Sequence, residues 1–540
     1  MQNLMLLGDE AIAQGAIDAG ISGIYAYPGT PSTEITEFVL HSKEAHAKGI
    51  RAGWSVNEKT AMESALGMSY AGKRTMVCMK HVGLNVAADA FINASITGIN
   101  GGLIVVSADD PGMHSSQNEQ DSRFYGKFAM IPIFEPANQQ EAYDMAFAGF
   151  AMSEKFGVPV MLRITTRLAH SRANVIRRAV RPQNALQMPA NPRQFILLPA
   201  IARKQYKGLL NNQELFEEAS ENSPFNTYTD GPDKRMGIIT FGIAVNYLLE
   251  NYPGRIVPYP LLRIGQYPIP RRMVEKLYAS CDQVLMLEEG YPIVEELLKG
   301  LLNKGKKIKG RLDGTIPRDG ELNPGIVAAA LGMSEPLVRA VPSVVVSRPP
   351  SLCKGCPHIY SYNALNEALR DYSKGRVFAD IGCYTLGALE PFDAINSCVD
   401  MGASITMAKG AADAGLMPAV AVIGDSTFTH SGMTGLLDAI NENSPITVFI
   451  LDNGTTAMTG GQTSAATGKL EAICMGLGVD PNHIIVMTPL QKHHEENLEL
   501  ITRELNYPGV SVIIPRRECI QTATKRLKDE KKKQLNTTVA

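Results

Sequence analysis

No stretch of this chain stays apolar for the roughly eighteen residues that a membrane-spanning helix requires, so none is expected. The first twenty residues lack a basic leading region and carry Asp9, Glu10 and Asp18, which does not suit a secretory signal. Eight cysteines in 540 residues are too few for a disulfide scaffold, and thiols, metal ligands or cluster ligands are the better readings. Neither sign of charge is in excess. A formal net charge of -2 argues against nucleic acid or an anionic membrane as the main partner. No short-period repeat is found. The expectation is a cytoplasmic protein.

What the chain does have is a recurring alternation. Short runs rich in Val and Ile (Thr75–Met79, Leu103–Ser107, Val158–Ile164, Gly237–Phe241, Gln283–Leu287, Ala419–Ile423, Ile446–Leu451, Val510–Ile514) stand between longer helical patterns. Continuous apolar runs fit strands buried on both faces by crossover helices, which predicts a multi-domain α/β protein with parallel sheets. Two stretches read as connections. Residues from about Arg181 to Arg235 are rich in Pro, Asn and Gln with little periodicity, and Glu335–Leu352 contains Pro336, Pro342, Pro349 and Pro350. The blocks are therefore residues 1–180, a linker at 181–234, a small α/β block at 235–335, a C-terminal block at 345–522, and a Lys-rich tail at 523–540.

The strongest chemical signal is Gly424-Asp425-Ser426, followed after 26 residues by Asn453. Each lies just past an apolar run, so on neighbouring parallel strands both side chains emerge at the carboxyl edge, where α/β sheets bind ligands. A hard cation such as Mg²⁺ takes oxygen ligands. Asp425, the Asn453 side chain and a carbonyl near Thr455 are the candidates. Gly424 admits close approach of a phosphate, and Gly402-Ala403-Ser404 opens a helical pattern whose amides suit a diphosphate. Taken alone, Gly-Asp-Ser is a strand-to-helix turn with an N-cap. Paired with Asn453, it has the spacing of the thiamine-diphosphate motif, with Ser426 replacing the second Gly and Asp452 the first Asn.

That cofactor also needs an acid at its aminopyrimidine ring, to promote loss of the thiazolium C2 proton. Glu58, early in the helical segment Asn57–Gly67, is the candidate; a favourable helix-dipole partner is the alternative. Three polar stretches flank strands: the rigid turn Tyr27–Thr33, the segment Lys80–Asn85, and the loop Ser107–Asp121. Thr30, Ser32, His81 and Arg123 are candidate contacts for a substrate carboxylate or carbonyl, Arg123 because its fork matches a carboxylate. A surface salt bridge is the alternative for Arg123, and a structural role for His81.

Together, Tyr27–Glu34, Glu58–Gly72, Lys80–Asp89, Ala108–Arg123, Thr165–His170, Cys353–His358, Asp380–Gly387 and Gly424–Asn453 resemble the large subunit of the indolepyruvate ferredoxin oxidoreductases. The resemblance implies a pyrimidine-binding domain, a transketolase-C-like domain and a diphosphate-binding domain. It carries the pyrimidine role onto Glu58 and adds Tyr384, Thr385 and Met458 to the cofactor contacts. In related 2-oxoacid:ferredoxin oxidoreductases a C-x-x-C, a Gly-Cys loop and a late cysteine hold a [4Fe–4S] cluster, which implies Cys353, Cys356, Cys383 and Cys519 as ligands here. Zinc or unligated thiols are the other readings, while Cys78, Cys281, Cys398 and Cys474 read as core residues.

The implied reaction is oxidative decarboxylation of a 2-oxoacid, indolepyruvate or another arylpyruvate, with coenzyme A taking the acyl group and ferredoxin the electrons. A smaller second subunit and a hetero-oligomer are also implied. One departure stands out: the family's large subunit commonly continues into a ferredoxin-like domain with runs of closely spaced cysteines, and none follow Cys519 here. A non-oxidative thiamine-dependent decarboxylase and a cofactor-free scaffold subunit are therefore the competing readings.

Overall fold

The computed structural model describes residues 3–191, 193–303, 305–333, 341–346 and 348–538. The start of the expected connection at Glu335 and the end of the Lys-rich tail lie outside them. The chain forms two compact units, Met1–Ala340 and Val341–Ala540.

The first unit is built on a seven-stranded and a five-stranded sheet. Strands Gly23–Ala26, Arg51–Trp54, Thr75–Lys80, Leu103–Asp109 and Val160–Thr165 pair in parallel in the larger sheet. Three of these are fully buried along their length, which explains their largely apolar sequence. The five-stranded sheet centres on Met236–Phe241, parallel to Leu261–Ile264 and Gln283–Leu287.

The first two sequence blocks share one unit because the second lends the first a strand. Gln266–Tyr267 pairs antiparallel with Ile133–Phe134 at the edge of the larger sheet. Ile238, Tyr247 and Leu285 then share a core cluster with Phe134 and Met145. The stretch 181–234 is also more ordered than its composition suggests. It contains helices Pro199–Asn211 and Gln213–Glu221, held by buried Leu209 and by Phe216, whose ring meets Phe156 edge-on at 5.0 Å. Two apolar anchors suffice there, too few to raise a periodic pattern in the sequence.

The second unit carries one six-stranded parallel sheet, in the order Ser397–Cys398, Val377–Ala379, Ala419–Gly424, Ile446–Leu451, Ser511–Pro515, Ile484–Met487. Its two central strands are buried throughout. Gly424 is in register with Leu451, so Asp425 and Asp452-Asn453 leave the sheet at the same edge. Among the described residues no helix is long and apolar enough to cross a membrane.

Candidate active site

In the first unit the turn Tyr27–Thr33 joins the strand Gly23–Ala26 to the helix Thr33–His41. It is closed by its own hydroxyls: Ser32 Oγ donates to the Gly29 carbonyl at 2.8 Å, and the Gly29 amide donates to Thr33 Oγ1 at 3.0 Å. Ser32, expected at the substrate, is therefore buried and occupied within the turn. Thr30 stays half-exposed, with its carbonyl 3.4 Å from Ser115 Oγ.

Glu58 is the first residue of the helix Glu58–Tyr70, whose start is capped by Asn57 accepting from the Thr60 amide at 2.8 Å. Its carboxyl lies against Gly83, where an added Cβ would stand 2.5 Å from Glu58 Oε1. Two residues before Gly83, His81 is 1% exposed, and neither ring nitrogen has a hydrogen-bond partner among the described residues. An imidazole buried without partners costs stability unless something else engages it.

Sequence reasoning passed over two residues here. Lys80 donates from Nζ to the Ser115 carbonyl at 2.9 Å, and burial draws its ammonium down to about 8 against the pull of Asp110. Asp110 itself accepts from the Ser115 amide and from Ser116 and Thr166, tying down the long polar loop.

Arg123 requires a correction. It is 1% exposed and forked onto Asp121, with further bonds to Tyr267 and the Tyr291 carbonyl and an ion pair to Glu288 at 3.3 Å. Arg163, equally buried, pairs with Asp109 and Glu135 alongside. The guanidinium that was expected to meet a substrate carboxylate is instead part of a buried ion network. The salt bridge read as the alternative is the one found, although in the interior.

In the second unit Asp425 begins just past the strand Ala419–Gly424 and is 2% exposed. Its Oδ2 has no hydrogen-bond partner among the described residues, although Ser464 and the Ser426 and Gly454 amides bond the carboxyl. Burial, and then Asp452, push this carboxyl up to about 7. Asn453 Oδ1 accepts from the Thr455 amide at 3.0 Å, and Thr455 Oγ1 donates to the Gln462 carbonyl at 3.0 Å. Ser426 Oγ is 2.9 Å from Thr456 Oγ1, so the two loops are laced together. Asp452, which replaces an Asn of the motif, is held by Arg516 at 2.6 Å.

Asp380, also passed over, organises the neighbouring wall. It accepts from the Tyr384 hydroxyl, from Ser404 Oγ at 2.7 Å and from the Gly402 amide at 3.2 Å. Ser404 and the Gly402 amide, expected to face a diphosphate, are thus turned to Asp380. Ala403 opens the helix Ala403–Asp413 behind Gly402, whose φ of +97° suits only glycine. Thr385 Oγ1 donates to the Asp380 carbonyl at 2.7 Å, so its hydroxyl shapes the loop. Tyr384 packs where a Cβ on Gly424 would fall, 2.6 Å from Cε1. Met458 is exposed.

The four expected cysteines converge on the same loops. Burial pushes the Cys383 thiol up to about 12, and the negative potentials of Cys356, Cys519, Asp425 and Cys353 add to it. The Cys356 amide donates to the Cys353 carbonyl at 2.9 Å, and the Cys519 amide to the Asn453 carbonyl at 3.1 Å. Asn453 Nδ2 lies 3.9 Å from Cys383 Sγ. His358, passed over in the sequence, bridges the two: its Nε2 is 3.3 Å from Cys383 Sγ and 3.4 Å from Asn453 Nδ2. Burial holds its ring well below the usual range, at about 4, and so neutral. Of the four cysteines expected in the core, Cys78, Cys281 and Cys474 are buried, but Cys398 is exposed. It sits on the edge strand of the sheet, where one side lacks a neighbour.

Residues 14–214 match the family model described as "Pyruvate flavodoxin/ferredoxin oxidoreductase, thiamine diP-bdg", and residues 380–513 match "Thiamine pyrophosphate enzyme, C-terminal TPP binding domain". Indolepyruvate oxidoreductase subunit IorA of Pyrococcus abyssi is 38% identical, over 96% of this chain and 86% of the relative. The chain belongs to the IorA family of oxidoreductase subunits. The Archaeoglobus fulgidus relative of the same name is 37% identical over the same shares of the two chains. A solved structure of 2-oxoglutarate:ferredoxin oxidoreductase from Magnetococcus marinus shares the fold, with TM-score 0.50 and 16% identity over 61% of this chain and 65% of that one. Family membership accounts for both the α/β architecture and the two thiamine-binding segments.

Proposed function

We propose that the chain is the thiamine-diphosphate-binding subunit of an indolepyruvate or arylpyruvate:ferredoxin oxidoreductase, working with a smaller partner subunit and passing the acyl group to coenzyme A. The family supports the reaction class. The observation that carries the oxidative reading is the union of the two loop systems in the second unit: Asn453 meets Cys383 through its side chain and Cys519 through its carbonyl. A redox centre held by Cys353, Cys356, Cys383 and Cys519 would adjoin the diphosphate site, as electron removal from the cofactor requires.

The residues suit the groups assigned to them. Asp425 offers a buried carboxylate oxygen without a hydrogen-bond partner among the described residues, and Asn453 and the Thr455 carbonyl add the neutral oxygens that Mg²⁺ takes. Four thiolates are what a [4Fe–4S] cluster takes, and a neutral His358 beside Cys383 is able to donate to its sulfur. When bound, thiamine diphosphate supplies the electron sink for loss of CO₂ from a 2-oxoacid. Glu58 would hydrogen-bond the aminopyrimidine ring, and His81 and Thr30 would contact the 2-oxoacid. Lys80, which packs beside Gly29 of the Thr30 turn, joins them in the role that Arg123 leaves open. In the alternative, a non-oxidative decarboxylase, the cysteines hold zinc or nothing.

Iron and acid-labile sulfide in protein purified without air test this directly. About four irons per chain are expected, with a broad visible band that bleaches on adding an arylpyruvate and coenzyme A. Colourless, iron-free protein that still binds thiamine diphosphate would transfer the assignment to the decarboxylase.

A further inference from the structure

The first unit holds a second acidic cluster that the chemistry above leaves unused. Asp9 stands at the start of the helix Gly8–Asp18, Glu34 at the start of Thr33–His41, and His170 just past the short helix Thr166–Ala169. One oxygen of each acid and a ring nitrogen of His170 all lie within 4.8 Å of one another. Asp9 is wholly buried, and neither carboxylate oxygen has a hydrogen-bond partner among the described residues. Burial, and then the negative charges of Glu34 and Glu10, raise its carboxyl well above the ordinary range. A buried acid with no donor and two acidic neighbours is costly in either protonation state. Glu34 and His170 differ: they face each other at 3.6 Å and are 36% and 34% exposed. The cluster therefore has a sealed floor and an open rim, which gives an ion a way in.

We propose that Asp9, Glu34 and His170 bind a first-row divalent transition-metal ion of the Zn²⁺ or Mn²⁺ class. Two carboxylates with one imidazole form a mixed oxygen–nitrogen set, whereas Ca²⁺ and Mg²⁺ favour oxygen alone and softer ions favour thiolate. A dication neutralises both acids and supplies the partner that Asp9 lacks. Three protein ligands leave further positions to water on the rim. The ion would also tie together two pieces of the site. Glu34 directly follows the turn bearing Thr30, and His170 ends the segment whose Thr166 bonds Asp110 of the long loop. Its role is to position rather than to react.

The test supplies Zn²⁺ alone, and then Mn²⁺ alone, to the full chain with its partner subunit after chelator treatment, and measures bound metal by mass spectrometry. Wild type should retain about one equivalent more of one of these ions than Asp9→Asn or His170→Gln, with iron content equal in all three. His170→Gln alters the exposed rim and keeps the test valid if Asp9→Asn folds poorly. Equal retention in wild type and in a folded variant would overturn the site. Asp9→Asn with a raised Tm and no change in metal would overturn it too, by assigning Asp9 a proton instead of an ion.

Discussion

Gly83→Ala isolates the placement of Glu58. The new Cβ would fall 2.5 Å from Glu58 Oε1, 2.7 Å from Cγ and 2.8 Å from Cδ, so the whole carboxyl must shift and not merely its tip. Ordinary contacts between such atoms begin near ~3.5 Å, which sets the displacement at about 1 Å. Glu58 is 6% exposed and has little free space to move into. Replacing a helical glycine by alanine contributes about 0.5–1 kcal/mol, against roughly 1–3 kcal/mol of overpacking. Tm should therefore move by only a few degrees. A catalytic group misplaced by about 1 Å costs on the order of 100-fold, or about 2.7 kcal/mol of barrier. The assay is arylpyruvate-dependent reduction of a one-electron acceptor at saturating thiamine diphosphate, beside calorimetry. Glu58→Gln should lose a comparable amount, and the double variant little more than either alone, because both changes remove one interaction. Wild-type kcat in Gly83→Ala, or fully multiplicative losses in the double variant, would refute the reasoning.

Three further outcomes follow. Arg123→Gln should cost about 3–5 kcal/mol by stranding Asp121 and its neighbours, read as a fall in Tm; an unchanged Tm with a sharply raised KM would restore Arg123 to the substrate. Tyr384→Phe should cost about 1–3 kcal/mol by removing a donor from buried Asp380, and thiamine diphosphate affinity should fall with it; unaltered stability and affinity would deny Asp380 its organising part. The Asp425 carboxyl is raised to about 7 in the folded chain, against an unfolded value near ~3.9, so its ionisation opposes folding. Metal-free protein should lose stability as pH rises from about 4 to about 7, with no further loss from this group above that window. Adding Mg²⁺ with thiamine diphosphate should remove the Asp425 share of the loss. Asp425→Asn should flatten the profile in part while losing the Mg²⁺ response, since Asp380 and Glu288, also raised to about 7 by burial, keep their shares. An unflattened profile in that variant would count against the assignment, as measured by thermal denaturation across pH.

The parallel sheets were legible because their strands are buried on both faces. Thr75–Lys80 and Ile446–Leu451 are buried at every position and mostly apolar, so no alternation with exposed residues breaks the run. The Gly-Asp-Ser to Asn453 spacing was legible for a related reason: strand register fixes where a residue leaves a sheet. Residues whose importance arises from three-dimensional partners left no such mark. Asp380 looks like any loop acid until Tyr384, Gly402 and Ser404 are seen donating to it. His358 stands in the C-x-x-C segment without a mark of its own, because its contact with Asn453 spans 95 positions. Arg123 misled for the opposite reason, since a side chain suited to carboxylates binds protein carboxylates equally well. Its proximity to Asp121, two residues earlier, was the available signal.

Buried acids divide into two kinds in this protein, and the division separates scaffold from site. Asp109, Asp121 and Glu135 are buried together, and Arg123 and Arg163 face them, so each of these acids has a cation within the chain. Such a network finds its counter-ions inside the protein. Asp425 and Asp9 are as deeply buried, but the charges nearest them are other acids. A fold that keeps an uncompensated carboxylate in a low-dielectric setting gives up stability unless a cation arrives from outside. For Asp425 that cation would come with the diphosphate, whereas Asp452 beside it already has a counter-ion in Arg516. The same reasoning, applied to a cluster that no motif marks, leads to Asp9.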